Sequence, residues 1–139
     1  MDQQQGTPER SSWTSGFTLM EMMIVMALIV ILAGIGMTVY GSSVQRSKEA
    51  VLKEDLFRMR DAIDQYYADK NKYPGSLEDL VSEKYLRAVP VDPFTASADS
   101  WQTTTAEPDP GNPSLESGIS NVKSGSEQTG LDGTRYADW

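Results

Sequence analysis

The 139-residue chain contains no cysteine and no histidine. Without cysteine it forms no disulfide and has no thiol nucleophile. Without histidine it lacks the usual Cys/His zinc sites and any Ser-His or Cys-His catalytic pair. Bases are scarce late in the chain: residues 89–139 carry eight Asp and Glu against two Lys and Arg, whereas residues 40–88 carry nine of each sign. The net charge of -8 is therefore concentrated in the C-terminal third, which repels phosphate backbones and argues against nucleic acid as a partner. Such a stretch suits either a divalent cation or plain hydration. The length allows one small domain, and a small exported domain without disulfides needs another stabiliser, such as a metal ion or packing against neighbouring subunits.

Charge is also missing from Met22 to Val39, 18 consecutive residues. At about 1.5 Å per residue this run covers roughly 27 Å of hydrocarbon, enough for one membrane span. The polar stretch Met1–Gly16 precedes it and ends in a small residue directly before the apolar block. An ordinary secretory signal has the opposite order, with its small-residue cleavage site after the apolar region. A cut after Gly16 would keep the anchor.

Beyond the run, Val44, Val51, Leu52, Leu56, Met59, Ile63, Tyr66 and Tyr67 recur at three- and four-residue steps, so the same helix continues as an amphipathic one. Lys53, Arg58 and Arg60 interleave with Glu54, Asp55, Asp61 and Asp64, the pattern of a solvated face. The pattern predicts one helix from about Phe17 to about Asp69, ending near Asn71–Gly75 because Pro74 holds Tyr73 out of the α region. Gly34 and Gly36 each cost about 1 kcal/mol relative to Ala in a helix interior, and mark either a soft point or a close-packing face. Ser76 and Asp79 form a capping pattern ahead of Leu77, Leu80, Val81 and Tyr85. Leu86–Pro93 is expected to run extended, with short strands at Trp101–Thr105 and Ile119–Ser124 and a loop over Glu107–Pro113. Tyr136 and Trp139 are expected to pin the last residues back on the domain.

Glu21 is the residue hardest to explain by packing. A carboxylate in a membrane helix costs on the order of 2.5–3.5 kcal/mol at the centre and less near the interface. An interfacial acid can snorkel to the headgroups. Cleavage after Gly16 offers another answer, because it creates an α-amino group on Phe17 that can neutralise Glu21 in apolar surroundings. Between staggered subunits that pairing sets register. Gly16-Phe-Thr-Leu-Met-Glu21 with the apolar run behind it resembles the prepilin signature of type IV pilins and type II secretion pseudopilins. Tyr73-Pro74, Val89-Pro90-Val91-Asp92-Pro93-Phe94 and Trp101 are similar to the layout of the major, G-type pseudopilin, which also lacks cysteine.

The resemblance implies an α+β, pilin-like fold with a leader at 1–16, an assembly helix at 17–40, an amphipathic helix at 41–72 and a head at 73–139 bearing a short helix and a small antiparallel sheet. It implies Gly16 as the residue before the prepilin peptidase cut, Phe17 as the N-methylated mature terminus and Glu21 as the assembly carboxylate. The implied function is that of a structural subunit, not an enzyme. It would form a homopolymer with minor pseudopilins, growing from an inner-membrane assembly platform into the periplasm to drive protein export, with membrane lipid around the helix before assembly. The alternative is a type IV pilin or minor pseudopilin of a surface filament. Calcium is the implied structural ion, with Ser126, Glu127, Leu131, Asp132 and Asp138 as candidate ligands; the spacing is not that of an EF-hand. The chain departs from the family in its leader, which holds Asp2 and Glu9 against Arg10, in lacking a late proline in the apolar run, and in carrying Glu127-Gln128 where an Asp-Gly is expected. An anchored enzyme is disfavoured because Asp99, Asp109 and Ser117 show no nucleophile–base spacing. A single-span protein with a disordered acidic tail is the remaining alternative.

Overall fold

A computed structural model describes residues 16–107, 110–111 and 117–139. Residues 1–15 of the leader expected at 1–16, and most of the loop expected at 107–113, lie outside the described residues. The chain divides into two units, Met1–Thr38 and Val39–Trp139.

Helix α1 spans Leu19–Lys70 without a break, as the continuous apolar and amphipathic patterns require. In the first unit its apolar side chains from Leu19 to Met37 are all exposed. A helix that is apolar all round belongs in lipid or between other helices. Gly34 and Gly36 interrupt neither the helix nor its surroundings, and a Cβ at either would meet nothing within 4 Å. Thr38 Oγ1 donates back to the Gly34 carbonyl at 3.4 Å, satisfying its hydroxyl within the helix.

In the second unit α1 presents Leu52, Leu56, Met59, Ile63 and Tyr66 as a buried stripe at alternating four- and three-residue steps, with Ala62 beside it. Val44, Val51 and Tyr67, expected on the same face, are exposed. The helix ends where Asn71 takes a left-handed φ of 54° and its N–H bonds the Tyr67 carbonyl at 2.8 Å. Tyr73-Pro74 then leads into α2, Leu77–Ser82. Ser76 caps it: its hydroxyl accepts from the Asp79 N–H, while Asp79 Oδ2 accepts from the Ser76 N–H at 3.0 Å. Leu77 and Leu80 join the core, and Tyr85, past the helix, packs edge-on against Tyr66.

The expected extended run 86–93 is interrupted by a bend at Arg87–Ala88, and Asp92 bridges back to Ser97. Strand β1, Gln102–Thr105, pairs antiparallel with β2, Ile119–Lys123, in the register Gln102 to Lys123 through Thr105 to Ile119, with an irregularity between Thr104 and Thr105. All of β1 is exposed; β2 turns Ile119 and Val122 into the core. Two glycines allow close backbone approach. A Cβ at Gly118 would collide with the carbonyls of Tyr73 and Pro74, and one at Gly125 with the carbonyl of Ser100. The result is an α+β fold of the pilin kind: one long helix, a short helix and a small antiparallel sheet.

The Asp92-Pro93-Phe94 segment is held from both sides. Asp92 is fully buried; its Oδ1 accepts from the Phe94 N–H at 2.9 Å and its Oδ2 from the Ser124 hydroxyl. Trp101 Nε1 donates to the Pro90 carbonyl at 2.7 Å. These bonds tie the proline-rich segment to both strands' flanks without a disulfide, which accounts for the residue types that stand there.

Candidate functional site

The first candidate region is the start of α1. Gly16, Phe17 and Thr18 lie ahead of the helix and are exposed. Thr18 caps it, its hydroxyl accepting from the Glu21 N–H at 3.1 Å. Glu21 falls in the first helical turn, where a carboxylate complements the helix dipole. It is exposed, and its carboxylate has no ion-pair partner among the described residues. The arrangement thus delivers an unneutralised acid four positions from the peptide bond expected to be cut, at the head of a helix that is apolar enough, over 18 residues, to cross a membrane.

The second region is the closing loop. Tyr136 is fully buried, stacked on Phe94 at 3.9 Å between ring centroids and edge-on to Trp139 at 4.9 Å. Residues Tyr136–Asp138 form a short 3-10 turn. The pinning of the last residues expected from the sequence is therefore observed. What sequence patterning missed is the receptor for it. Glu49, 9% exposed on α1, accepts at Oε1 from the Tyr136 hydroxyl at 2.8 Å and from the Leu131 N–H at 2.8 Å. Gln45, one turn earlier, donates to the Tyr136 oxygen at 3.0 Å. Burial raises the Tyr136 phenol above its ordinary pKa, opposed by the Gln45 bond and reinforced by Glu49. The signal in the sequence was an acid on the apolar side of the helical stripe, at the spacing of Leu52 and Leu56.

Arg60 was also misassigned to the solvated face. It is half-buried, its guanidinium donating to the Val122 carbonyl at 2.8 Å, the Asn121 side chain at 2.9 Å and the Trp139 carbonyl at 2.7 Å. Lys53 lies 4.5 Å over the Trp139 ring, a cation–π contact. Arg58 does remain on the surface, paired with Glu54.

The five candidate calcium ligands occupy one short stretch, and four of them make separate bonds within the protein. The Ser126 hydroxyl is buried and accepts from the Gln128 N–H at 3.3 Å. Glu127 is exposed. Leu131 gives its N–H to Glu49. Asp132 Oδ1 accepts from the Thr134 hydroxyl at 2.6 Å and N–H at 3.0 Å, and these bonds hold its carboxyl below the usual range. Asp138 pairs with Arg135 at 3.2 Å on the surface. Among the described residues no three acids converge as a cation site. The donor chemistry is of the kind a hard cation accepts, and Asp132 and Asp138 already bond Thr134 and Arg135.

Comparison with known proteins bears on the first region most directly. The prokaryotic N-terminal methylation motif matches residues 14–37, the segment that contains Gly16, Phe17 and Glu21. The fimbrial protein EcpC of Eikenella corrodens is 36% identical over 81 residues, covering 55% of this chain and 53% of its own length. Type II secretion system core protein G of Pseudomonas aeruginosa is 33% identical over 96 residues, covering 58% of this chain and 68% of its own length. The same core protein of Escherichia coli is 27% identical over 95 residues, covering 57% and 66%. The chain thus spans about half the length of the fimbrial relative and about two thirds of the core proteins. No solved structure matches it. A methylation motif placed over the capped, acid-bearing start of α1, together with 33% identity over about two thirds of the length of core protein G, makes this chain a member of the pilin-like family of type II secretion system core protein G.

Proposed function

We propose that the chain is the major structural subunit of a type II secretion pseudopilus, anchored in the bacterial inner membrane with its head in the periplasm until it is polymerised. The observation that carries this is the start of α1: an exposed Glu21, without an ion-pair partner among the described residues, in the first turn of an apolar helix within a segment matching the methylation motif. Prepilin peptidase cuts after Gly16, and the new Phe17 amine, methylated, neutralises the Glu21 of a neighbouring subunit. Pairing between subunits supplies the counter-charge that burial of the acid demands. Growth of the homopolymer from an assembly platform, with minor pseudopilins in the same filament, pushes exported proteins outward. The role is structural: no cysteine or histidine is present to build the common nucleophilic centres.

Calcium belongs to the same proposal as a stabiliser of the closing loop. Ser126, Glu127, Leu131, Asp132 and Asp138 supply hydroxyl, carbonyl and carboxylate oxygens of the kind calcium accepts. The Arg135–Asp138 pair is exposed, and such pairs contribute about 0–1 kcal/mol, so it is a weak competitor for the carboxylate.

Processing is tested by mass spectrometry of the filament subunit. The expected N-terminus is Phe17 carrying added methyl mass. An intact Met1–Trp139 chain in working filaments would remove the basis for the Glu21 pairing.

A further inference from the structure

Within the second unit, α1 carries a large aromatic side chain that no part of the head covers. Phe57 is 67% exposed, more than any other described aromatic residue beyond Tyr40, although Leu56 before it belongs to the core. Beside it lies an open cleft of about 320 Å3 whose lining includes two bases, Lys53 and Arg60, and no acid. Arg60 is committed to the Val122 and Trp139 carbonyls and to Asn121. Lys53 rests over the Trp139 ring and has no ion-pair partner among the described residues. The exposed acids one turn to either side of Phe57, Glu54 and Asp61, are engaged by Arg58 and Gln65. Phe57 is thus an apolar knob with an unpaired cation one turn before it.

A second cleft in the same unit, of about 210 Å3, shares no lining residue with the first. Buried Leu77, Trp101 and Ile119 form its floor, while exposed Glu78 and Asp99 stand at its rim. Its lining contains no base, and neither carboxylate has an ion-pair partner among the described residues. Ile119, at the start of β2, lines this cleft, whereas Arg60 in the first is bonded to Val122 near the end of that strand. A cavity of roughly 150 Å3 accepts benzene, so the second cleft has room for one phenyl ring. The head therefore bears a knob with a cation and a ring-sized cleft with two acids, at different places on one surface.

We propose that Phe57 of one subunit inserts into the cleft floored by Leu77, Trp101 and Ile119 on a second copy of this chain. Lys53 leaves the Trp139 ring to meet Glu78 and Asp99 at the rim. An aromatic anchor in an apolar pocket supplies the affinity, and the charges around it fix the orientation. A second copy is favoured as the occupant because this chain carries both halves of the contact with matching size and opposite charge. Two different patches meeting in this way make a head-to-tail contact, which adds copies in an open helical array when its rotation does not close. The inference rests on the homopolymer reading and adds a contact between heads that does not involve Phe17 or Glu21.

The chain has no cysteine, so an introduced pair reports only on itself. The full chain carrying Glu54→Cys beside the knob and Thr103→Cys in the cleft lining is assembled in cells and treated with a short bis-maleimide. A ladder of covalent dimers, trimers and longer species is expected, absent from either single variant and reduced several-fold by Phe57→Ala in the same background. Glu78→Lys with Asp99→Lys is expected to weaken the ladder, and adding Lys53→Glu to restore it, which a folding defect would not allow. A ladder that ignores Phe57→Ala, or that Lys53→Glu fails to restore, would overturn the contact. So would the absence of a ladder from filaments that form normally, and in each case the homopolymer reading stands. Dimers from the Glu54→Cys single variant would show symmetric pairing and reject the head-to-tail contact. Cross-links to a different protein in place of the ladder would reject a second copy as the occupant. Absence of any polymer of the parent chain would overturn both readings.

Discussion

The Tyr136 hydroxyl donates to Glu49 Oε1 at 2.8 Å, joining α1 to a residue 87 positions later in the closing loop. The same oxygen takes the Leu131 N–H at 2.8 Å. A single helical carboxylate thus holds the middle and the end of the loop in which calcium is proposed.

Replacing that carboxylate is expected to release the loop. Glu49→Ala strands the buried Tyr136 hydroxyl proton and is expected to cost about 1–3 kcal/mol. Glu49→Gln keeps an acceptor at nearly the same place and is expected to cost less. Tyr136→Phe adds little on top of Glu49→Ala, because the two groups form one bond. Denaturant melts of the four proteins check this, and equal stability of Glu49→Ala and the parent would show that the bond carries no weight.

Much of the architecture was legible in the sequence because it depends on local rules. The apolar spacing gave one helix ending at Lys70 beside the predicted Asp69, and the Ser76 capping pattern gave α2. Both strands fell within a residue of their expected bounds. What escaped were polar residues whose partners are distant in the chain. Glu49, Arg60 and Asp92 have the composition of a solvated surface, and their burial follows from contacts 32 to 87 positions away. Periodicity carries no such information. The motif at the start of α1 was legible for a different reason, since Gly16, Phe17 and Glu21, where processing and pairing are proposed, lie in one contiguous segment that matches the methylation motif.

Glu21→Val is expected to leave insertion intact and to stop or disorder assembly. The substitution removes a polar group from the span, so insertion is if anything easier. Membrane fractionation and filament yield are the two readouts. Normal filaments from this variant would place the register elsewhere.

Calcium is expected to raise the melting temperature of the full chain relative to chelator. If the ion binds the folded state alone, saturation at about 100 times the dissociation constant adds roughly 2.7 kcal/mol. Asp138→Ala is expected to abolish the shift and Asp99→Ala to preserve it. Coincident curves with calcium and with chelator would defeat the proposal.

The central claim is that this subunit builds a secretion filament. The most direct measurement compares the proteins released by cells with and without this chain. Loss of secreted proteins into the medium, restored by the parent chain, is the expected result. Undiminished secretion together with loss of surface fibres would contradict it and assign the chain to a surface pilus.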